Sequence, residues 1–188
     1  MLDRLAGNEA MKQHLQAALA GGKLAHSLLL CGEKGCGAGF AARCLAADYL
    51  YPQGGPAAEA VLAGQAPECL EVRGEGASGQ IRIERIRQVR EEVFHSALSA
   101  QGRVVLLYGA QNLNSASANA LLKVLEEPPE GVLFLLTASS PAAVLATIRS
   151  RCAAYDLSPL PPAQCAAWLK NQRPACREAE FLAAVYEG

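Results

Sequence analysis

Four glycines lie in the stretch that follows the apolar run Ser27 to Cys31, with the spacing of a phosphate-binding loop. In the working form, GxxxxGK followed by Ser or Thr, backbone N–H groups hold the phosphates, the Lys contacts the outer phosphates and the hydroxyl binds Mg²⁺. Gly32 and Gly37 keep this spacing, but Ala38 and Gly39 stand at the Lys and hydroxyl positions. The stretch indicates either a phosphate loop without its chemical groups or only a tight turn from a strand into a helix.

A second set of catalytic groups is missing after the later apolar run Val104 to Leu107. In phosphate-loop ATPases this strand ends in an Asp that holds Mg²⁺ through water, and often in a Glu that activates the attacking water. Tyr108 and Gly109 occupy these positions, and neither side chain can perform either task. The sequence therefore predicts an ATPase fold with an inactive site and no bound cofactor. The alternative is an ATPase that binds nucleotide through an unusual loop, with Lys34 as its cation.

Composition limits the classes of protein that this chain can represent. A length of 188 residues, 51% hydrophobic and 19% charged, predicts a globular chain of one domain and part of a second. A net charge of -1 argues against binding nucleic acid through a strong basic field of the whole surface. No segment is apolar enough to cross a membrane, and the N-terminus lacks a signal-peptide pattern, so we predict a cytoplasmic protein with no membrane partner.

The cysteines do not suggest a disulfide framework or a metal site. Their number is odd, no pair has CxxC spacing, and the three histidines do not complete a recognisable set of zinc ligands. Free cysteines among Ala and Leu behave as small buried hydrophobic residues. We therefore predict seven reduced thiols and no metal; the cysteines are Cys31, Cys36, Cys44, Cys69, Cys152, Cys165 and Cys176.

Strand-like apolar runs alternate with helical segments along the chain. This order predicts an α/β domain of three layers with a parallel central sheet. After Cys152 the chain is expected to leave the sheet. The predicted helices span 8–20, 40–51, a short segment 57–63, 81–98, 115–127, 163–171 and 177–186, and the predicted strands span 27–31, 69–72, 104–108 and 132–136. The predicted N-caps are Asn8 for the first helix and Asn114 or Ser115 for the helix 115–127.

One of these helices, 81–98, carries a basic outer face beside an apolar stripe. Such a face is either solvated and paired with nearby glutamates or turned toward DNA. The sequence leaves both interpretations open. Its arginines are Arg82, Arg85, Arg87 and Arg90.

The segment Asn119 to Pro129, NALLKVLEEPP, together with the triplet Ser150-Arg151-Cys152, resembles the clamp-loader branch of the AAA+ ATPases. With the altered loop, the chain is most similar to the delta-prime family of bacterial DNA polymerase III clamp-loader subunits. The resemblance implies an AAA+ phosphate-loop NTPase-like domain over 1–157 and the start of a helical lid over 158–188. It also implies a non-catalytic structural subunit. Its implied partners are the ATPase subunits and the delta subunit, with primer-template DNA and the sliding clamp reached through the assembly.

The same resemblance assigns a role to one arginine. Arg151 is similar to an arginine finger that reaches the ATP site of a neighbouring subunit, where its permanent charge and forked donors match phosphate oxygens. Arg149, two residues earlier, is the competing candidate. The resemblance thus implies that the finger acts in trans.

The sequence departs from the family between Tyr51 and Cys69. Related subunits commonly carry a four-cysteine zinc module there, whereas this stretch holds one cysteine and a Gly-Pro-Ala segment, 52–65. The chain ends at Gly188, before the remaining lid and the helical collar that the resemblance implies. We therefore expect the sequence to be a fragment of a longer product.

Overall fold

Five parallel strands in the order β2-β3-β4-β1-β5 form the centre of the molecule. The computed structural model describes residues 1–76, 78–95, 102–172 and 178–184. The central strands are continuous apolar runs because helices cover both faces of the sheet. The strands are β1 (Ser27–Cys31), β2 (Cys69–Val72), β3 (Arg103–Leu107), β4 (Val132–Ala138) and β5 (Ala153–Asp156).

Helices lie on both sides of this sheet and confirm the predicted three layers. On β1, Leu28 and Leu30 belong to the core shared with α2, whereas Leu29 belongs to the core that contains Leu121 of α5. The helices are α1 (Glu9–Ala20), α2 (Ala38–Leu50), α3 (Pro56–Leu62), α4 (Ile83–His95), α5 (Ser115–Glu126), α6 (Ala146–Arg149), α7 (Pro162–Gln172) and α8 (Ala179–Ala184). The predicted residues 96–98, 177, 185 and 186, and Cys176, lie outside the described part.

The strand order decides which loops meet. β4 lies between β3 and β1, with Leu135 beside Leu106 on one side and beside Leu28 on the other. Because all strands are parallel, the loop after β1, the residues after β3 and the end of β4 gather at one edge of the sheet. The altered loop residues Ala38 and Gly39 are therefore close in space to the altered residues that follow β3, Tyr108 and Gly109.

The prediction that the chain leaves the sheet after Cys152 is wrong. β5 follows at once and pairs with β1, with Ala154 beside Leu29. It is an edge strand, and Ala154 and Asp156 are exposed. A half-exposed edge strand lacks the continuous apolar run by which the central strands were predicted.

Asn8 and Asn114 both occupy the predicted N-cap positions, but only Asn114 caps its helix through its side chain. Asn114 accepts a hydrogen bond from the backbone N of Ser117 at 2.8 Å, as a capping side chain should. Asn8 instead adopts a left-handed conformation, and its side chain makes no capping bond. Its amide binds the backbone of Ser158 in both directions, at 3.2 and 2.9 Å. Asn8 thus joins the start of α1 to the segment that leads into α7.

The Gly-Pro-Ala segment contains the short helix that its sequence indicates. α3 begins at Pro56, where a missing N–H costs nothing because the first helical N–H groups lack intrahelical partners. Ala58 and Val61 are fully buried in the core that includes α2. This region therefore folds on apolar contacts.

Among the described residues, no helix is long and apolar enough to cross a membrane.

Candidate functional site

A cleft of about 480 Å³ lies at the carboxyl edge of the sheet. The glycine loop forms one wall, and the ends of β3 and β4 form the other. Gly35 and Gly37 have φ of 97° and 85°, and α2 begins directly after Gly37. The loop therefore has the strand, turn and helix arrangement of a phosphate loop. The lining residues are Gly32, Glu33, Lys34, Gly35, Gly37, Ala38, Gly39, Gly109, Gln111, Thr137, Ala138 and Ser139.

Two charged side chains, Glu33 and Lys34, line the cleft. Ala38 opens α2 with a methyl group at the position of the lysine. Lys34 lines the cleft, but it lies on the exposed part of the loop next to Glu33, whose negative charge opposes an anionic ligand. Its substitution for the absent lysine remains an alternative.

The side chain of Tyr108 is not among those that line the cleft. It belongs instead to a polar cluster between β2, β3 and α2. Arg43 Nε donates to the phenol oxygen at 2.9 Å, and the phenol donates to Glu71 Oε1 at 3.2 Å. The guanidinium carbon of Arg73 lies 3.7 Å from the centre of the Tyr108 ring. We call Arg43, Glu71, Arg73 and Tyr108 the tyrosine cluster. The position at which phosphate-loop ATPases carry an Asp is thus occupied by a phenol that is hydrogen-bonded within this cluster.

The tyrosine cluster shifts the pKa values of its members. Burial raises the pKa of Tyr108, with the hydrogen bond from Arg43 acting in the opposite direction. Burial would also raise the pKa of Glu71, but hydrogen bonds and charges from Arg73 and Arg43 outweigh it and hold this pKa below its usual value. At neutral pH the cluster therefore contains a neutral phenol and an ionised carboxylate.

We expect Glu71→Gln to lower the free energy of unfolding at pH 7 by about 1–3 kcal/mol, because two arginines and a phenol lose a charged partner. The folded pKa of Glu71 lies below the unfolded value of about 4.3, so its contribution is complete above that pH. The contribution disappears as the pH falls through the folded pKa. Urea unfolding at pH 7 and at pH 3 measures the difference.

Glu75→Gln is the matched control, because Glu75 is 63% exposed and lies 3.8 Å from Arg82. This control should change stability by less than about 0.5 kcal/mol. An equal loss in both variants, or a Glu71→Gln effect that does not shrink in acid, would contradict the proposed ionic role of the cluster.

Gly109 has a structural reason to be glycine. Its φ is 78°, and a Cβ there would lie 2.9 Å from Asn112 Nδ2. Its backbone N donates to Thr137 Oγ1 at 3.2 Å. Sequence reasoning missed Thr137 and Gln111 as residues of the cleft. The signal for Thr137 was its place just beyond the predicted end of β4, which in fact runs to Ala138.

Arg151 lies at the amino-terminal ends of the parallel strands, opposite the carboxyl edge at which the cleft lies. It precedes β5 by two residues, whereas the phosphate loop follows β1, the parallel partner of β5. At about 3.3 Å per residue, the four residues of β5 separate the two edges by roughly 13 Å. Arg151 does not line its own chain's cleft. The Arg151 side chain therefore lies away from this cleft.

Local contacts hold the Arg151 side chain, which is 34% exposed. Its Nε donates to Glu126 Oε1 at 2.8 Å, and another guanidinium nitrogen donates to the backbone oxygen of Thr147 at 2.9 Å. Glu126 is the last residue of α5, so the two recognised sequence segments meet here. Arg149 instead donates to the backbone oxygen of Pro141 at 3.1 Å.

The basic face of α4 is partly engaged within the chain. Arg85 donates to the backbone oxygen of Glu71 at 3.1 Å and pairs with Glu92 at 3.5 Å. Arg82 lies near Glu75. These contacts agree with a paired surface, and a DNA-facing role stays a prediction.

The described cysteines are free thiols, and burial raises the pKa of several of them. The pKa is about 11 for Cys31 and Cys44 and about 12 for Cys69 and Cys152. Within the described ranges, no three His, Cys, Asp or Glu residues form a group that could hold a metal.

We expect the purified chain to contain no stoichiometric zinc. Tetrahedral coordination needs four convergent ligands, and the segment 51–69 offers the single thiol of Cys69. Inductively coupled plasma mass spectrometry after exhaustive dialysis decides the question. One zinc per chain would contradict this expectation, and its loss in Cys69→Ser would identify Cys69 as one of the ligands.

The parallel sheet, its helical layers and the loop after β1 define the AAA+ class of phosphate-loop ATPase folds. The RuvB Holliday junction branch migration motor of Thermotoga maritima is similar, with a TM-score of 0.64 and 16% identity over 96% of this chain and 57% of that one. A DNA polymerase III gamma subunit-related protein of the same organism gives 0.58 and 20% over 89% and 57%. The chain belongs to the family described as DNA polymerase III, delta subunit, whose model matches residues 7–161.

Curated relatives agree with this membership. The chain is 41% identical over 112 residues to the DNA polymerase III subunit delta' of Yersinia pestis, covering 60% of this chain and 33% of that protein. The delta' subunit of Pseudomonas aeruginosa is 35% identical over 161 residues, or 80% and 48%. The gamma/tau subunit of Mycobacterium tuberculosis is 34% identical over 166 residues, or 84% and 28%. The chain thus spans less than half the length of these relatives.

Proposed function

We propose that this chain is the ATPase-fold part of a non-catalytic, structural subunit of the DNA polymerase III sliding-clamp loader. It acts in DNA replication, has no ATPase activity of its own and offers Arg151 to the ATP site of a neighbouring subunit. The observation that carries the proposal is that the altered cleft and Arg151 lie at opposite ends of the strands. The cleft lacks every expected charged group, whereas the arginine lies at the other edge of the sheet.

The altered cleft supports the non-catalytic half of the proposal. A phosphoryl-transfer site works almost entirely by positioning and by stabilising charge on phosphate and metal. Ala38 and Gly39 supply neither the cation nor the metal ligand, and Tyr108 lies in a cluster that already satisfies its hydroxyl. With Gly109, four positions thus depart together from the working pattern.

The contacts of Arg151 support the second half. Thr147 and Glu126 hold the guanidinium at a partly exposed place, so its side chain is ordered before a partner arrives. An ordered arginine loses less conformational entropy when it meets a phosphate. In the assembly, Arg151 would keep Thr147 and exchange the Glu126 carboxylate for phosphate oxygens.

The proposed partners are the clamp-loader ATPase subunits and the delta subunit, in a cytoplasmic hetero-oligomer. Primer-template DNA and the sliding clamp are reached through that assembly. The proposal is tested by two measurements together: Mg·ATP binding to the chain, and clamp loading by a reconstituted full-length loader that carries Arg151→Ala.

A second candidate is a nucleotide-binding AAA+ ATPase with an atypical loop. One observation favours it: the loop keeps its turn, and a cleft of about 480 Å³ remains open beside Lys34. The backbone N–H groups of such a loop can still attract an anion. Mg·ATP binding to the wild-type chain distinguishes the candidates, and Lys34→Ala then shows whether that binding depends on this cation.

A further inference from the structure

Gly39 faces the ring of Tyr108 in the first turn of α2. A Cβ at position 39 would lie 3.2 Å from Cε1 and 3.5 Å from Cδ1 of that ring. Gly39 is helical and is absent from the glycines with positive φ, so its backbone would accept any residue. The ring of Tyr108 therefore supplies the structural reason for glycine at this position.

The Tyr108 ring cannot easily retreat from Gly39. Its hydroxyl accepts from Arg43 and donates to Glu71, and Arg73 covers one ring face. The backbone N of Tyr108 donates to Val72 O at 2.9 Å, which fixes the base of the side chain. These contacts hold the phenol at both ends.

The supporting arginine is itself fixed. Besides its bond to Tyr108, Arg43 donates to Glu71 Oε1 at 2.8 Å and to the backbone oxygen of Leu62 at 3.1 Å. Its neighbour Gly64 leaves no spare room, because a Cβ there would lie 3.2 Å from the guanidinium. The tyrosine cluster is therefore a connected support that extends from α2 to the end of α3.

We propose that Tyr108, held by Arg43, Glu71 and Arg73, is the residue that keeps position 39 from carrying the hydroxyl side chain that would hold the metal of a nucleoside triphosphate. Its ring fills the space beside the loop that a hydroxyl side chain at position 39 requires. The changes at 39 and 108 are thus one packing solution, so repairing the loop alone does not repair the site. This inference rests on the proposed absence of a working ATP site and names the group that enforces it.

A thermal double-mutant cycle tests the packing without any nucleotide. Gly39→Thr should lower Tm by about 3–8 °C in the wild-type background, as overpacking does in a chain of this size. In Tyr108→Ala the same change should lower Tm by at most about 2 °C, since the ring is gone. Tyr108→Leu serves as a second background in case Tyr108→Ala does not fold.

Two further backgrounds make the cycle specific. Tyr108→Phe keeps the ring and should retain most of the cost of Gly39→Thr. Tyr155→Ala removes a tyrosine that packs against His14 instead, and it should leave the cost unchanged. Equal Tm losses in all backgrounds would overturn the inference, because position 39 would then be intolerant for a reason other than Tyr108.

Binding of Mg·ATP supplies the second measurement. The double variant Ala38→Lys/Gly39→Thr should bind at most weakly, whereas the triple variant that also carries Tyr108→Asp should bind at least about tenfold more tightly. Equal affinities of the double and triple variants would overturn the inference. Binding by the wild type would contradict the proposed function, while the thermal cycle would still report on the Tyr108 contact.

Discussion

Replacing Arg151 with alanine should leave a reconstituted, full-length loader assembled but impaired in clamp loading. An arginine finger supplied in trans contributes on the order of 10³ to 10⁵ in rate at the site that receives it. That corresponds to roughly 4–7 kcal/mol of transition-state stabilisation. The exposed ion pair with Glu126, which the same substitution removes, is worth about 0–1 kcal/mol. The effect on catalysis should therefore exceed any effect on folding.

Total ATP turnover is a weak readout for this variant. If one of several sites in the assembly uses Arg151, the other sites continue to hydrolyse ATP, and total turnover falls only by a modest fraction. Clamp loading, which needs the whole assembly, reports the silent site more directly. Size-exclusion chromatography of the same sample establishes that the loader has assembled.

Arg149→Ala and Glu126→Gln are the matched controls. Arg149 is exposed on the same segment, and its hydrogen bond goes to the backbone of Pro141. Glu126→Gln breaks the pairing of Arg151 but keeps its charge, so it should retain loading. Unimpaired loading by Arg151→Ala would leave this residue an ordinary solvated charge, and impaired loading by Arg149→Ala alone would move the finger to that residue.

The central sheet was predictable because its signal is local. β3 and β4 are buried on both faces, so nearly every residue in each run is apolar and the run itself marks the strand. β5 could not be predicted in this way, because two of its four residues are exposed and its sequence resembles that of a connecting loop. The hydrogen bonds of the Asn8 side chain could not be predicted for a related reason, because its partner, Ser158, is distant in the sequence.

The candidate site was predictable only as a set of absences. The sequence shows which groups of the phosphate-loop motif are missing, and therefore that phosphate binding, metal binding and water activation lack their usual side chains. The residues at these positions are Ala38, Gly39, Tyr108 and Gly109. What Tyr108 does instead depends on Arg43, Glu71 and Arg73, which come together because β2 lies beside β3. That pairing is a property of the strand order, which no single segment of the sequence encodes.

The chain should show no saturable binding of Mg·ATP at micromolar concentration in isothermal titration calorimetry. The absent lysine alone removes charge-assisted hydrogen bonds worth about 1.5–3 kcal/mol. This loss weakens binding by roughly 10-fold to 100-fold. The metal contact is lost as well, because Gly39 has no hydroxyl and Tyr108 holds its own hydroxyl between Arg43 and Glu71. The two losses fall on the same ligand, so their effects accumulate.

Lys34→Ala is the control that gives a positive result its meaning. Lys34 is the one cation among the lining residues of the cleft in the described part of the chain, and it lies on the exposed side of the loop. A saturable micromolar signal that disappears in Lys34→Ala would replace the structural-subunit proposal with that of an atypical nucleotide-binding ATPase. A signal that survives in Lys34→Ala would also end that proposal, and it would place the binding energy in the backbone N–H groups of the loop. Only a flat titration of the wild type agrees with a subunit whose chemical contribution is made at a neighbour's site.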